Sequence, residues 1–454
     1  MTCDVLLIDT LSTLRVARGL ISPAPVVAQM TGFLEQAEIS YEILFAIPQD
    51  DGSIDLLQEN QAVSNRFDTV LKEMAPRTVV FYHDPELVHL MFAVYREVRK
   101  IIPDALLCAG GILSSALPHY YLEKGFDYII GQDVYQSLIS IIQHIKEAKM
   151  PDRGLFSISQ PHQDFDYFPF IAQKYFTAIK PQWSFSNGHI ERFGLITGSA
   201  GCTSGCVHCP NSSYWGTTWR TMSAARIFNE IKFQHELLKV DTFYFGDINF
   251  LPNAAIQNDV IIPHPKAIER ITQLDKLLDE HEYAAKFIST IRPDTISSMA
   301  DYLPEVLDIF LRRFAACFLG IESFSEEVLA GLKTPITKKI IRRAVKLLEQ
   351  QGIVIVASFL VGSPWETYET LRETEQFILN ELPPSAIPLL NIMTPFPGTR
   401  FYDSLKSKGL LLERDVGLFN GQRLVFKHPV FKEDELEIRI QEFYYQFFRE
   451  RYSG

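Results

Sequence analysis

The feature that most narrows what this chain can fold into is an alternation of period. Short apolar runs of strand length exchange repeatedly with stretches of helical spacing, in two blocks divided by a break. In the first block strands are expected at Val5–Ile8, Tyr41–Ile47, Thr78–Tyr82, Ala105–Cys108 and Tyr128–Ile130. Helices are expected at Pro25–Glu35, at Pro85–Lys100 and after Gly131. A strand that reaches its neighbour through a helix runs parallel to it, so this block predicts a Rossmann-like parallel sheet with helices on both faces. Ligands of such sheets lie beyond the carboxyl ends of the strands, where Pro48, His83, Gly110, Gly111 and Gly131 fall.

Residues 151–190 lose the alternation and are rich in Pro, Gln, Asp and Phe, as a connector packed by its aromatics would be. The pattern then resumes. Strands are expected at Phe193–Thr197, Thr242–Phe245, Lys286–Thr290, Ala315–Gly320, Val354–Leu360 and Pro388–Met393. Helices lie between them at Ala224–Leu238, Ala267–Glu280, Ser325–Leu332, Lys338–Gln351 and Tyr368–Leu379. Six β/α units in about 210 residues suit a partial barrel of the TIM type better than a second open sheet. Lys432–Arg451 reads as one amphipathic helix. The α/β chain thus divides into 1–150, a connector 151–185, a (β/α)6 barrel 186–405 and a helical extension 406–454.

With 47% hydrophobic residues the 454-residue chain can bury more than one core, and its net charge of −12 argues against a phosphate-tracking surface. Nucleic acid is therefore not an expected partner. The amino terminus lacks the basic start and cleavage site of a signal peptide, and no run reaches the roughly 18 apolar residues of a membrane span. A cytoplasmic protein without membrane contact is expected. Six cysteines do not make a disulfide framework in a chain this long, and three of them fall within eight residues. In a reducing compartment such a cluster points to metal or catalysis.

The cluster is Gly201-Cys202-Thr203-Ser204-Gly205-Cys206-Val207-His208-Cys209-Pro210, between an expected strand and an expected helix. It is a loop at the carboxyl end of the first barrel strand, the end where barrels place catalytic groups. Two glycines let so short a loop turn three thiolates toward one point. Three thiolates satisfy three irons of a cubane cluster and leave the fourth open. A zinc site would want a fourth Cys or His at ligand spacing, and three buried inert thiols are the remaining alternative.

Cys-x3-Cys-x2-Cys resembles the motif of the radical S-adenosylmethionine (SAM) superfamily. The resemblance implies a 4Fe–4S cluster on Cys202, Cys206 and Cys209 whose open iron chelates SAM, and reductive cleavage of SAM to a 5′-deoxyadenosyl radical. The residue before the last cysteine is usually aromatic there; here it is His208, whose ring can still lie against adenine. Further motifs follow in order at strand ends. Phe245-Gly246-Asp247-Ile248-Asn249-Phe250 stands where the family receives the SAM amino group, which implies a cofactor role for Asp247 and Asn249. Thr290-Ile291-Arg292-Pro293-Asp294 places Arg292 where related enzymes have an arginine facing the active site. Gly320-Ile321-Glu322-Ser323 places Glu322 and Ser323 where the family contacts SAM. Gly362-Ser363-Pro364-Trp365-Glu366-Thr367 and Thr394-Pro395-Phe396-Pro397-Gly398-Thr399 look like the family's turns after the fifth and sixth strands. Cys317, on the fourth strand, would be a hydrogen-atom donor if it pointed into the barrel; the alternative is a small buried hydrophobe.

The last motifs resemble most strongly a branch whose members carry an amino-terminal cobalamin-binding domain. Gly110-Gly111, Pro118 and the series Gly125-Phe126-Asp127-Tyr128-Ile129-Ile130-Gly131 look like that domain, and Asp164-Phe165-Asp166-Tyr167-Phe168-Pro169 like its connector. Gly110, Gly111 and Gly131 would let the backbone approach the corrin. Two departures stand against this. No histidine follows Pro48-Gln49-Asp50-Asp51-Gly52 to serve as a lower axial ligand, and Gly131-Gln132-Asp133 replaces the branch's Gly-Glu-x-Glu series. The resemblance implies a cobalamin-dependent methyltransferase acting on an unactivated carbon, or a phosphinate, of a metabolite or peptide, with a reductant such as flavodoxin or ferredoxin. Its rivals are a cobalamin-independent enzyme, for peptide epimerisation or for rearrangement or cyclisation of a small molecule, and a non-catalytic regulator that binds cobalamin or metal.

Overall fold

The computed structural model describes residues 3–452, apart from 12–23, 50, 52, 59–60, 64–65, 132–133, 148, 150–151, 157–163, 185–189, 258–259 and 413–414. Asp50, Gly52, Gln132 and Asp133 therefore lie outside the described residues. The chain forms two compact units, Met1–Thr197 with Glu230–Val240, and Gly198–Asn229 with Asp241–Gly454.

The first unit is built on an eight-stranded sheet: β1 (Val5–Thr10), β2 (Tyr41–Pro48), β3 (Ile54–Gln58), β4 (Gln61–Val63), β5 (Thr78–Tyr82), β6 (Leu106–Gly110), β7 (Tyr128–Ile130) and β8 (Gly154–Phe156), in the order β4-β3-β2-β1-β5-β6-β7-β8. β1 is buried along its whole length because it pairs in parallel with β2 on one side and β5 on the other while helices cover both faces. The five expected strands all form. The sequence reading missed β3, β4 and β8, which are short, β3 and β4 also mixing polar with apolar residues. The β3–β4 hairpin extends the edge in antiparallel sense.

The connector packs by its aromatics, as its composition predicts. Phe168 lies edge-on to Phe33 and Tyr135 and stacks on Phe165. A side chain at Gly32 would come within 2.1 Å of the Phe170 carbonyl, so the helix Pro25–Gln36 needs glycine where the connector crosses it.

In the second unit β9 (Thr242–Phe245), β10 (Lys286–Ile291), β11 (Phe314–Glu322), β12 (Val354–Val361) and β13 (Ile387–Ile392) lie side by side in chain order, all parallel. The remaining expected strand forms at Gly194–Ile196. Two helices absent from the sequence reading, Pro293–Tyr302 and Pro304–Arg313, link β10 to β11. The helix Glu435–Tyr452 closes the chain. Its Tyr444 hydroxyl accepts from the Leu390 amide (2.9 Å) and donates to the Pro388 carbonyl (3.3 Å), meeting backbone groups of β13 that have no further strand to pair with. Among the described residues no helix is long and apolar enough to cross a membrane.

Candidate active site

The cysteine loop is closed at its base by a short antiparallel ladder that pairs Ser199 with Thr221 and Ala200 with Arg220. Gly201 adopts φ +87°, and a Cβ there would lie 2.2 Å from the Thr218 carbonyl, so only glycine fits the turn into the loop. The Cys202 amide donates to the Gly216 carbonyl (3.2 Å). The other side is held by the turn after β13. Arg400 donates to the Gly205 carbonyl (2.6 Å), the Phe401 amide to the Val207 carbonyl (3.1 Å), and Ser213 Oγ to the Gly398 carbonyl (2.7 Å). The Pro-Phe-Pro-Gly-Thr motif thus serves as a brace for the cysteine loop.

Cys202, Cys206 and Cys209 are free thiols, each half-buried. Burial pushes the Cys209 thiol up to about 11, with Cys206 and Cys202 adding to the rise. Cys206 is raised by burial, drawn down by Arg292, and raised by Glu322, Cys202 and Asp294. Cys206 and Cys209 are thus made harder to ionise, by burial first and by neighbouring thiols second. Among the described residues no three His, Cys, Asp or Glu side chains converge on a single metal ion.

Arg292, Glu322 and His208 share this neighbourhood. Arg292 is locked to Asp294 through Nε (3.0 Å) and Nη2 (2.9 Å), and burial, which works against its charge, is outweighed by Asp294, Cys206 and Glu322. Glu322 sits at φ +66°, past a register shift in β11, a strained conformation for a residue with a side chain. Its Oε1 lies 3.4 Å from where a Gly320 Cβ would stand. His208 is kept neutral by burial, and its buried Nδ1 has no partner.

The remaining expected residues divide. Asn249 is 3% exposed and both atoms of its amide lack hydrogen-bond partners. Asp247 is turned to Arg270 (2.9 Å), in an ion pair excluded from solvent on both sides; burial pushes its carboxyl up against the pull of that arginine. Ser323 is taken up within its own turn, accepting from the Ser325 amide (3.2 Å) and lying 3.3 Å from Thr374 Oγ1. Cys317 is fully buried, its thiol pushed up to about 12, and it alternates with half-buried Phe318 and Gly320. It belongs to the face of β11 that carries Leu319 and Ile321, packed away from Glu322 and the cysteine loop, and the structure does not bring it to the site. Arg270, Asp294 and Arg400 were missed. A signal existed for Arg270, a charge set among Ala267, Ile271 and Leu274 on the apolar stripe of its helix.

In the first unit, side chains at Gly110 and Gly111 would meet protein rather than open space: the Tyr82 ring at 3.2 Å and the His83 carbonyl at 2.7 Å. Gly111 has φ +125°. The backbone itself requires glycine at 111, whatever ligand the sheet holds, whereas a Cβ at 110 would need the Tyr82 ring to give by a few tenths of an ångström. Gly131 is buried at the end of β7, its amide on the Phe156 carbonyl (2.8 Å). His83 is a core residue, bonded to Tyr121 (3.1 Å), stacked on it and lowered by burial to about 4. Thr10, at the carboxyl end of β1, buries a hydroxyl without a partner.

Residues 196–378 match the Radical SAM superfamily model. An uncharacterised methyltransferase of Pyrococcus horikoshii is 26% identical over 259 residues, 56% of this chain and 51% of that protein. An anaerobic magnesium-protoporphyrin IX monomethyl ester cyclase of Rubrivivax gelatinosus is 30% identical over 381 residues, 78% of this chain and 64% of that one. The chain thus spans about half of the first relative and under two thirds of the second. Among solved structures, the radical SAM methyltransferase TsrM from Kitasatospora setae, with tryptophan and a SAM analogue bound, shares the fold. Its TM-score is 0.64 at 18% identity, over 89% of this chain and 76% of that chain. TsrM has also been solved with cobalamin and a [4Fe–4S] cluster bound.

Proposed function

We propose that this chain is a radical SAM enzyme, and that its reaction is a cobalamin-dependent methyl transfer to an unactivated carbon, or a phosphinate, of a small molecule or peptide. The observation that carries the reading is the braced loop of Cys202, Cys206 and Cys209 in a unit that also buries polar groups without partners among the described residues, the Asn249 amide and His208 Nδ1. A 4Fe–4S cluster bound there supplies the electron that breaks SAM, and cobalamin supplies a methyl carrier. The chain's own part is to hold and shield. Cys202, Cys206 and Cys209 hold three irons, Asn249 and Glu322 face SAM, and Arg292, fixed by Asp294, sets the charge beside Cys206. For cobalamin the support is the first unit's fold together with the orphan hydroxyl of Thr10 at a strand end, where such sheets take ligands. The reductant would be a flavodoxin or ferredoxin. A second reading, cyclisation or rearrangement without methyl transfer, is favoured by the likeness to the Rubrivivax cyclase.

The test is anaerobic purification with cobalamin supplied, followed by visible spectroscopy and assay of SAM products under reduction. We expect a bound cluster, near-stoichiometric corrin and release of 5′-deoxyadenosine. A cluster without corrin would favour the second reading. Fully cluster-loaded protein that never cleaves SAM would sink both.

A further inference from the structure

Arg270 belongs to none of the recognised motifs, yet its guanidinium ties together the chain on both sides of the cysteine loop and on both sides of Asn249. Nη1 donates to the Gly198 carbonyl (3.3 Å) ahead of that loop and to Thr221 Oγ1 (2.9 Å) behind it. It also reaches Asp247 Oδ2 (2.9 Å), and Nη2 donates to the Phe250 carbonyl (2.7 Å), so the turn Asp247–Phe250 is gripped at each end. The guanidinium lies over the rings of Phe250 (4.5 Å) and Trp219 (5.0 Å). Its side chain is 2% exposed. A buried arginine costs several kcal/mol of desolvation unless every contact is made well. Here four acceptors meet Nη1 and Nη2 while Nε has no partner among the described residues, at a turn whose central polar residue, Asn249, has none either.

Within that grip the two polar side chains of the turn differ. Asp247 has one oxygen on Arg270; the other, Oδ1, has no hydrogen-bond partner among the described residues and faces Gly198, where a Cβ would come within 3.0 Å of it. The amide of Asn249 is buried with both ends open, a state that a ligand must complete. We propose that Arg270 is a positioning residue for SAM: it pins Phe250 and one oxygen of Asp247 so that the amide of Asn249 is presented to the ligand. This rests on the SAM reading above. A guanidinium reaches acceptors in several directions at once, while a lysine offers one point charge, so charge alone does not replace it.

The experiment compares wild type, Arg270→Lys, the neutral pair Arg270→Gln with Asp247→Asn, and Asn249→Ala. Each is reconstituted anaerobically with iron and sulfide. Iron content, melting temperature and equilibrium binding of radiolabelled SAM are measured. We expect all four to carry the cluster, and the three variants to bind SAM roughly tenfold more weakly or worse, the usual scale for losing an outer-shell support. Two outcomes overturn the proposal: SAM binding unchanged in Arg270→Lys or in the neutral pair, or loss of the cluster together with SAM, which would make Arg270 a brace for the cysteine loop. Should Arg270→Lys fail to fold, the neutral pair, which leaves no lone buried charge, decides. Cluster-loaded wild type that does not bind SAM removes the reading on which the proposal stands, a failure seen in the wild-type arm alone.

Discussion

Glu366 shows how one residue can combine motif and stability. It is 1% exposed, its Oε2 accepts a short hydrogen bond from the Gly362 amide, and its Oε1 has no partner. Burial lifts its carboxyl from an ordinary 4.5 to about 7, the Gly362 amide opposing and Glu375 adding. The folded chain therefore holds a proton that the unfolded chain releases sooner. The stabilisation is complete below pH 4.5 and is lost as pH rises through about 7, some ~3 kcal/mol in all. Glu366→Gln, neutral at every pH, is expected to melt above wild type at pH 8 and to converge with it at pH 5. Parallel melting curves at the two pH values would show that Glu366 is ionised and otherwise compensated.

The cysteine loop is an element shaped by two glycines with different duties. Both have positive φ, +87° at Gly201 and +57° at Gly205, but a Cβ at Gly201 strikes the Thr218 backbone while one at Gly205 meets nothing within 4 Å. Gly205→Ala is expected to cost about 1 kcal/mol, the ordinary left-handed penalty, and to load iron normally. Gly201→Ala must move backbone, and is expected to lose about 2 kcal/mol or more together with most of the bound iron. Iron content and melting temperature of the two variants check this. Equal iron loading would show that the loop adapts without its first glycine.

At the scale of the whole molecule, each unit has its own sheet and its own buried core. A cluster bound at Cys202, Cys206 and Cys209 stabilises the unit that holds it, since a ligand of the native state protects what it touches. Amide exchange of reconstituted against apo protein is therefore expected to slow across residues 201–216 and the carboxyl ends of β9–β13, and to stay the same in β1–β8. Uniform slowing through both sheets would mean that the units open together.

Much of this architecture is legible without coordinates, because period and spacing are local. The alternation of apolar runs with helical stretches marks the five strands β9–β13, and the spacing of Cys202, Cys206 and Cys209 singles out the loop on which the proposed chemistry rests. What stays hidden depends on approach through space. The brace from Arg400 to Gly205 spans 195 positions, and the turning of Cys317 away from Glu322 follows from which face of β11 its helices cover. Asp247 and Asn249 stand two positions apart in one motif and read alike as ligands. Only the tertiary structure shows that Arg270 is buried against Asp247 Oδ2, while Asp247 Oδ1 and the Asn249 amide are left without hydrogen-bond partners among the described residues, since a charge removed from water takes the nearest counter-charge the fold supplies.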